Sequence, residues 1–431
     1  MKIVGLITEY NPFHNGHLYH IRESLRITGA DAALVVMSGD YVQRGTPAIM
    51  PKRLRTEMAL YCGAGAVLEL PVCYATGSAE FFALGAISLL DSLGIVDSVC
   101  FGSECSDLPL LQKIAGLLVD EPEQYREILR HELKLGKSFP AARQTAVVFC
   151  TGDPRCADIL KDPNNILGIE YLKALKKCGS SIRPYTIRRK GAGYHSSQLD
   201  ELYSSASAIR SLLAYSSSSI HTEFAGDDST ELSFSDILNE LGNQVPKKCL
   251  ELLSDFHKIQ YPVYQNDFSL ILKYKLLNKH PESLVRYMDV SPELAARICT
   301  SLNDFFNYKQ FAGLLKTKEL TQTRITRINR ALLHIMLGIK KDSVSEYMNS
   351  GYNFYARLLG FRKDCSQILT EISKKSSLPL LTKLAESREL CELGQRMLRD
   401  DILASNLYTS VVTDKFKTAF LNEYKQRIIK I

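Results

Sequence analysis

One stretch near the start decides the fold: Ile3-Val-Gly-Leu-Ile-Thr-Glu-Tyr-Asn-Pro-Phe-His14-Asn-Gly16-His17. Its first part, Ile3 to Ile7, is apolar and β-branched, which is typical of a buried strand. Beyond the histidines, Leu18, Ile21 and Leu25 recur at helical spacing beside polar residues, so a helix is expected to start at or near His17. The His and Gly residues therefore lie in a loop between strand and helix, where open α/β sheets bind ligands.

The same alternation of strands and helices continues through the first half of the chain. Further strand candidates are Ala32 to Met37, Ala66 to Leu70, Val96 to Phe101 and Ile182 to Ile187. Amphipathic stretches of helical length separate them, which predicts an α/β fold with a Rossmann-like, doubly wound parallel sheet, followed by a largely α-helical half.

A polar segment divides the two halves. Tyr215-Ser-Ser-Ser-Ser-Ile-His-Thr and Gly226-Asp-Asp-Ser are poor in apolar residues, as linkers and long surface loops are. We expect a nucleotide-binding catalytic domain over residues 1–215, a linker or surface loop over 216–232, and a mainly helical, basic domain over 233–431.

Charge and composition narrow the class of protein. The chain has 431 residues, a net charge of +6 and 45% hydrophobic residues, enough for a substantial core. Residues 301–431 carry 22 Lys and Arg against 13 Asp and Glu, so the basic excess lies at the C-terminal end. This favours a polyanionic partner such as nucleic acid, with a solvated basic surface as the alternative.

Neither export nor membrane insertion is indicated. The start is interrupted by polar residues within ten positions, and no stretch approaches the length of a membrane span. The 11 cysteines are odd in number and form no CxxC pair, so we expect reduced thiols. We expect a cytoplasmic protein with no membrane partner, and predict no particular oligomeric state.

The HxGH pattern formed by His14, Gly16 and His17 suits attack on the α-phosphorus of a nucleotide. Gly16 permits close approach of backbone to phosphate, and the following helix directs its positive N-terminal end there. Both imidazoles can donate hydrogen bonds to phosphate oxygens and stabilise the charge that develops in the transition state. Pro12 fixes a backbone angle just before the site. The alternative is a pair of ordinary loop histidines.

A second group of polar residues could complete the phosphate site. Ser204-Ser-Ala-Ser207-Ala-Ile-Arg210 places hydroxyls and a guanidinium at the start of an apolar helical run. Ser207 and Arg210 are the candidate phosphate ligands. A simple serine N-cap beside a surface arginine is the alternative.

These motifs carry a resemblance. HxGH followed by SSxSxIR resembles the nucleotidyltransferase superfamily related to class I aminoacyl-tRNA synthetases. The longer string from Gly5 to His20 resembles the bacterial tRNA(Met) cytidine acetate ligase family more specifically. Further matching segments are Met37-Ser-Gly, Gln43-Arg-Gly45, Phe101-Gly-Ser, Pro163-Asn-Asn-Ile-Leu-Gly168 and Thr321-Gln-Thr-Arg-Ile.

The resemblance implies an activity and a set of ligands. The enzyme would use ATP and acetate to form acetyl-adenylate with release of pyrophosphate, then transfer the acetyl group to N4 of the wobble cytidine of elongator tRNA(Met). Mg²⁺ would arrive on the ATP phosphates with mostly water ligands, and no protein metal ligand is predicted. Acetate is already ionised at neutral pH, so its attack needs positioning and charge relief more than a general base.

The resemblance also implies the ATP-binding residues. Gly102 would touch the nucleotide, and Asn164 with Arg189 would complete the site, with Asn165 and Arg188 as alternatives to these two. The first-loop residues that would bind ATP are Ile7, Thr8, Glu9, Tyr10, Asn11, Pro12, Phe13, His14, Asn15, Gly16, His17, Leu18, Tyr19 and His20.

Arginines at every third position suggest where RNA binds. Arg324, Arg327 and Arg330 would share one side of a helix, a good arrangement for phosphate contacts, although a solvated helix face is the alternative. Lys52, Arg53 and Arg55 could extend a basic path from the ATP site, or could be ordinary surface charges.

Two other functions are consistent with parts of the sequence. An adenylyltransferase acting on a coenzyme precursor would explain HxGH but not the basic helical half. A non-catalytic RNA-binding protein with a relic nucleotide fold would explain the basic half but would not require His14.

Overall fold

The computed structural model describes residues 1–189, 205–215, 233–316 and 322–431. Its strands are β1 Ile3–Thr8, β2 Ala32–Ser38, β3 Tyr41–Val42, β4 Thr46–Pro47, β5 Ala64–Leu70, β6 Ser98–Ser103, β7 Arg183–Arg188, β8 Ala356–Phe361, β9 Leu380–Leu381 and β10 Ile429–Lys430. The five strands expected from the sequence are all present, with ends that differ by a few residues at most.

Helices fill most of the remaining described chain. In the first half they are α1 Asn15–Thr28, α2 Lys52–Tyr61, α3 Val72–Ala75, α4 Ala79–Ser92, α5 Leu108–Asp120, α6 Glu123–Lys134, α7 Phe139–Thr151, α8 Arg155–Ile159, α9 Pro163–Cys178 and α10 Ala206–Tyr215. In the second half they are α11 Phe234–Leu241, α12 Lys247–Phe256, α13 Ser269–Leu277, α14 Pro281–Leu284, α15 Pro292–Thr300, α16 Tyr308–Leu314, α17 Gln322–Leu337, α18 Lys341–Asn349, α19 Gln367–Lys375 and α20 Glu392–Phe416.

The main sheet runs β10-β8-β5-β2-β1-β6-β7, and β9 pairs with β8. Strands β5, β2, β1, β6 and β7 are parallel, as expected for a doubly wound fold. The order of chain connection reverses between β1 and β6, and ligands of open α/β sheets bind beyond the carboxyl ends of the strands at such a point. This rule places the site beside Thr8 and Ser103.

A hydrophobic core lies on each face of this sheet. Leu34 and Val36 of β2 belong to one core, whereas Val35 and Met37 belong to the other. Successive strand side chains point to opposite faces, so a strand covered on both sides is apolar throughout. This explains why β2 is a continuous apolar run from Ala32 to Met37.

The second half is largely helical, but it also contributes to the sheet. Strand β8 pairs antiparallel with β5, and β10 and β9 pair with β8. The short apolar run Ala356–Phe361 was not among the strand candidates. The linker expected over 216–232 lies outside the described residues, and the division into two domains stays a prediction.

Candidate active site

The loop after β1 folds tightly over the start of α1. Tyr10 and Phe13 are fully buried, and their rings pack against each other and against His17 at centroid distances between 4.7 and 5.5 Å. Helix α1 begins at Asn15 with His14 as its N-cap, slightly earlier than the start near His17 that the sequence suggested. Both histidines therefore lie at the positive end of this helix.

His14 is oriented by the backbone of its own loop. Its Nδ1 accepts a hydrogen bond from the Gly16 N–H at 3.0 Å, so the proton of the neutral ring is on Nε2. A Cβ at position 16 would come within 2.8 Å of His14 Cε1, which explains the need for glycine there. The His14 and His17 rings stack with centroids 3.8 Å apart.

The three histidines of this loop are neutral at pH 7. Burial, aided by the positive charges of Arg189 and Arg210, lowers the pKa of His14 to about 3. Burial also lowers the pKa of His20 to about 4, and that of His17 falls well below its ordinary value for the same reason. His20 Nε2 donates to the Cys100 carbonyl at 3.2 Å, so its ring is held against β6.

A cavity of about 580 Å³ opens in front of these residues. Most of the predicted ATP-binding residues line it, namely Ile7, Thr8, Glu9, Tyr10, Asn11, His14, Gly16, His17, Tyr19, His20, Gly102, Asn164, Arg189, Ser207 and Arg210. The other four predicted residues lie behind the cavity lining. Pro12 and Phe13 are buried, the Asn15 amide donates to the Asn243 carbonyl at 2.7 Å, and Leu18 packs against the second core.

Across the cavity, the ends of β6 and β7 meet the start of α9. Arg189 donates to Asn164 Oδ1 at 3.3 Å, and the Asn164 amide donates to Glu104 Oε1 at 2.5 Å. A Cβ at Gly102 would lie 3.1 Å from Arg189 Cγ, so the glycine makes room for this arginine. The structure thus brings Gly102, Asn164 and Arg189 together.

Their hydrogen bonds distinguish Asn164 from Asn165, the two asparagines that the sequence left as alternatives for binding ATP. Asn165 is 1% exposed, and its Oδ1 accepts from the backbone N–H groups of Glu104 and Cys105. It therefore supports the loop after β6, whereas Asn164 borders the cavity. Arg188 borders the cavity as well, but Arg189 is the one bonded to Asn164.

The run that starts α10 acts both as a cap and as a clamp on the first loop. Ser205 Oγ accepts from the Ala208 N–H at 3.1 Å as an N-cap does, while Ser204 lies outside the described residues. Arg210 donates to the Asn11 carbonyl at 2.6 Å and to Ser207 Oγ at 3.0 Å. Arg210 is therefore part of the site and not a surface charge.

Three segments that the sequence analysis did not assign to the site also line the cavity. They are the β3–β4 hairpin, the segment 263–265 and the start of α17. The backbone N–H of Gln43 donates to Glu9 Oε1 at 2.9 Å, which joins the hairpin to the first loop. The motif Gln43-Arg-Gly45 was noted only for its resemblance, although its position on a hairpin that borders the cavity explains why it matters.

The predicted RNA-binding arginines do not share one environment. The Arg324 side chain lies outside the described residues. Arg327 has 59% of its side chain exposed, whereas Arg330 has 14% exposed and donates to Asp289 at 2.8 Å. Of the two described side chains, Arg327 is thus the one available to a partner in solution.

The prediction that Lys52 and Arg55 extend a basic surface path from the ATP site is wrong. Lys52 is 2% exposed and Arg55 is 0% exposed. Arg55 donates to the backbone carbonyls of Glu9 and Ser38, at 2.7 and 3.0 Å, and so braces the first loop from behind. Charged residues at the start of a helix are usually at the surface, but α2 packs against the sheet with this end inward.

Two general properties complete the description. Within the ranges that the structure describes, no His, Cys, Asp and Glu side chains form a group of three or more able to hold a metal ion. None of the helices in those ranges is both long enough and apolar enough to span a bilayer.

Comparison with known proteins agrees with this geometry. A family model described as HIGH Nucleotidyl Transferase matches residues 1–423. The chain is 43% identical over 410 residues to the tRNA(Met) cytidine acetate ligase of Caldanaerobacter subterraneus subsp. tengcongensis, covering 95% of each chain. It is 40% identical over 432 residues to the ligase of the same name from Acetivibrio thermocellus, covering 100% of each.

Solved structures give the same result. The chain is similar to Thermotoga maritima TmcAL in its apo form, with a TM-score of 0.89, 31% identity and 100% coverage of both chains. It is also similar to the crystal structure of that protein bound with alpha-thio ATP, with a TM-score of 0.86 at the same identity and coverage.

Proposed function

Because the chain belongs to the HIGH nucleotidyl transferase family and, within it, to the tRNA(Met) cytidine acetate ligases, we propose that it is an ATP-dependent ligase that acetylates a cytidine of tRNA(Met). It first converts acetate and ATP into acetyl-adenylate and pyrophosphate. It then transfers the acetyl group to N4 of the wobble cytidine of elongator tRNA(Met) and releases AMP.

One observation carries the proposal: His14, which is buried, and His17, which is half-buried, lie as neutral rings at the N-terminus of α1 beside Arg189 and Arg210, in a cavity at the sheet's switch point. An acetate oxygen attacks the α-phosphorus and the bond to pyrophosphate breaks, so negative charge shifts onto the leaving group. The Nε2–H of His14 and the two guanidiniums are donors suited to that charge. Acetate reacts as the carboxylate it already is at pH 7.

The site residues take distinct roles in this proposal. His14 and His17 contact the reacting phosphates, while Asn164 and Arg189 hold the nucleotide from the opposite side together with Gly102. Ser207 and Arg210 complete the phosphate site, and Arg210 also fixes the Asn11 backbone. Mg²⁺ is proposed to arrive on the ATP phosphates.

In the second step the cytidine amine attacks the carbonyl carbon of the mixed anhydride, AMP leaves, and the nitrogen loses a proton to solvent or to a nearby base. This requires the base to be turned out of its stack, as in sequence-specific RNA recognition generally.

We propose that residues 1–215 supply the ATP site and that residues 233–431 contribute most of the tRNA contacts. Arg327, with Arg324 on the same helix, is the proposed phosphate contact, whereas Arg330 positions the helix through Asp289.

The decisive experiment separates the two steps. Purified protein is incubated with ATP, labelled pyrophosphate and acetate, and the acetate-dependent exchange of label into ATP is measured. tRNA is then added, and the wobble nucleoside is analysed by mass spectrometry. We expect exchange that requires acetate, and a mass increase of one acetyl group on cytidine.

Absence of both products would refute the proposal. Exchange that depends on a phosphorylated coenzyme precursor instead of acetate would identify an adenylyltransferase of small molecules. tRNA binding without either reaction would identify a non-catalytic RNA-binding protein.

A further inference from the structure

One wall of the cavity is not accounted for by the ATP-binding residues. We call it the outer wall, and it consists of Gln43 on the β3–β4 hairpin, Val263 and Gln265 on the segment before α13, and Thr326 with Asn329 on α17. None of the predicted ATP ligands belongs to it. A nucleotide held at the first loop leaves this wall to face whatever second substrate enters the cavity.

The outer wall is built by direct packing between its segments. At Gly45 the hairpin approaches α17 so closely that a Cβ there would overlap the backbone of Asn329 and Arg330. The Val263 N–H donates to the Ile49 carbonyl at 2.9 Å, and Gln265 Nε2 donates to Asn329 Oδ1 at 3.2 Å. The amide groups are therefore fixed relative to one another before any ligand binds.

The wall offers mainly neutral hydrogen-bonding groups, with one cation beside them. Three carboxamides and one hydroxyl line the wall, and each carboxamide has both donors and an acceptor. Arg44, next to Gln43 on the same hairpin, also borders the cavity. Among the described residues, Gln43 Nε2 is enclosed without a hydrogen-bond partner. An enclosed donor without a partner is costly and is commonly satisfied by a ligand. The Watson–Crick edge of cytosine has the complementary groups, an amino donor and two acceptors.

The wall also lies between the first loop and the exposed part of α17. The Gln43 backbone is bonded to Glu9 of the first loop, so one edge of the wall adjoins the proposed acetyl-adenylate. On α17, Thr326 borders the cavity while the next residue, Arg327, is exposed. One helix can thus contact an RNA phosphate outside and a base inside.

From these contacts we infer that the outer wall is the subsite for the cytosine base of the acceptor nucleotide, turned out of its stack to present its amine to the acetyl-adenylate. This inference rests on the proposed function. It assigns Gln43, Thr326 and Asn329 to recognition of the base, with Gln265 holding the Asn329 amide in place.

The test measures the preference for cytidine over uridine, which would not change if Asn329 only supported the fold. The probes are two anticodon stem–loop RNAs that differ only in cytidine or uridine at the wobble position, and their affinities are measured with wild type and Asn329→Ala. Uridine exchanges the amino donor for an acceptor. We expect wild type to prefer cytidine by about tenfold or more, and Asn329→Ala to lose most of that preference.

Acetyl transfer to the cytidine stem–loop should fall at least about tenfold more than acetate-dependent pyrophosphate exchange in this variant. Thr326→Val, which keeps the side-chain shape, provides a second variant if Asn329→Ala unfolds, and thermal unfolding of both is recorded. Asn303→Ala removes an exposed amide elsewhere in the same half and is the matched control.

The outcomes are distinguishable. If wild type makes acetyl-adenylate and transfers acetyl to cytidine, but both variants keep the full preference for cytidine over uridine, the inference about the outer wall is wrong and the proposed function stands. If wild type forms no acetyl-adenylate, the proposed function itself fails, and with it the premise of the inference.

Discussion

The molecule contains two buried polar regions that differ in how they are satisfied. In the ion cluster, formed by Lys52, Glu69, Arg357 and Glu423, Lys52 Nζ lies 2.7 Å from Glu69 and 2.8 Å from Glu423. Arg357 lies 3.0 Å from Glu69 and also pairs with Glu423. Arg357 Nη1 makes its contact to Glu69 without hydrogen-bond geometry, but each charge of the cluster faces an opposite charge. In the cavity, by contrast, His17 Nδ1 and Gln43 Nε2 are enclosed without a hydrogen-bond partner among the described residues.

The pKa values of His14 in the cavity and Lys52 in the ion cluster are shifted in opposite directions. Burial lowers the pKa of His14 to about 3, and neighbouring positive charges lower it further. Burial and Arg357 would lower the pKa of Lys52 too, but nearby carboxylates outweigh them and raise it above its ordinary value. Burial of polar groups therefore does not by itself mark a site. A missing hydrogen bond alone does not mark one either, since Asn353 Oδ1 and Thr413 Oγ1 lack a partner among the described residues and do not line the cavity. Unpaired groups that also border a cavity are the ones available to a ligand, whereas charges that neutralise each other hold segments together.

The largest expected effect tests whether the ion cluster stabilises the fold. Lys52→Met leaves two buried carboxylates, Glu69 and Glu423, with Arg357 alone to balance their charges. We expect a loss of about 3–5 kcal/mol in the free energy of unfolding. Denaturant unfolding of the variant and wild type measures it.

The control for this prediction is Lys248→Met. Lys248 pairs with Glu251 at 2.9 Å, but both side chains are about half exposed, so its loss should cost less than about 1 kcal/mol. If Lys52→Met were no more destabilising than this control, the ion cluster would not hold the fold together.

The second effect tests the cavity as a functional device. His14→Ala removes the donor directed at the reacting phosphate, and we expect acetyl-adenylate formation to fall at least about a hundredfold. The free energy of unfolding should fall by about 1 kcal/mol, because the variant loses the N-cap hydrogen bond to the Gly16 N–H, and this is too little to unfold the protein. Pyrophosphate exchange and denaturant unfolding are measured together.

His131→Ala is the matched control for His14, since its side chain is 70% exposed and far along the chain from the site. It should retain wild-type exchange. A fall of less than about tenfold in His14→Ala would refute the role assigned to that imidazole.

The smallest expected effects distinguish two arginines of α17, one proposed to bind RNA and one that holds the fold together. Arg327→Ala should lower the slope of log affinity for tRNA against log salt by about one phosphate contact and leave stability unchanged. Arg330→Ala should instead destabilise the fold by about 1–3 kcal/mol, because it removes both hydrogen bonds that Arg330 donates to the largely buried Asp289. If the slope of log affinity against log salt is the same for Arg327→Ala and wild type, Arg327 does not contact a phosphate of the RNA.

Local pattern was enough to predict much of the fold and the first loop. Apolar runs bounded by turns predicted the five parallel strands, and HxGH between a strand and a helix predicted a loop that the structure places beside the cavity. Such features depend on neighbours within a few residues. The environments of Lys52, Arg55 and Arg330 depend instead on distant partners, and so the sequence could not distinguish them from surface charges.

The same reason explains the residues that were missed. Strand β8 pairs with β5 across almost three hundred positions, and nothing near Ala356–Phe361 specifies that partner. The outer wall likewise combines three segments that are far apart in the chain. Two motifs gave a signal, through their resemblance to a family: Gln43-Arg-Gly45, and Thr321-Gln-Thr-Arg-Ile just ahead of Thr326.

The ion cluster has a consequence for how the protein is made. Lys52 donates to Ser405 across 353 positions and pairs with Glu423 further on. During synthesis, β5 and α2 emerge long before those partners exist, so the lysine stays hydrated and the edge of β5 stays open until β8 has been made almost three hundred residues later. Such early exposure of an unpaired strand edge is where nascent chains become dependent on chaperones. Completion of the sheet therefore depends on segments that are made long after the loop that follows β1.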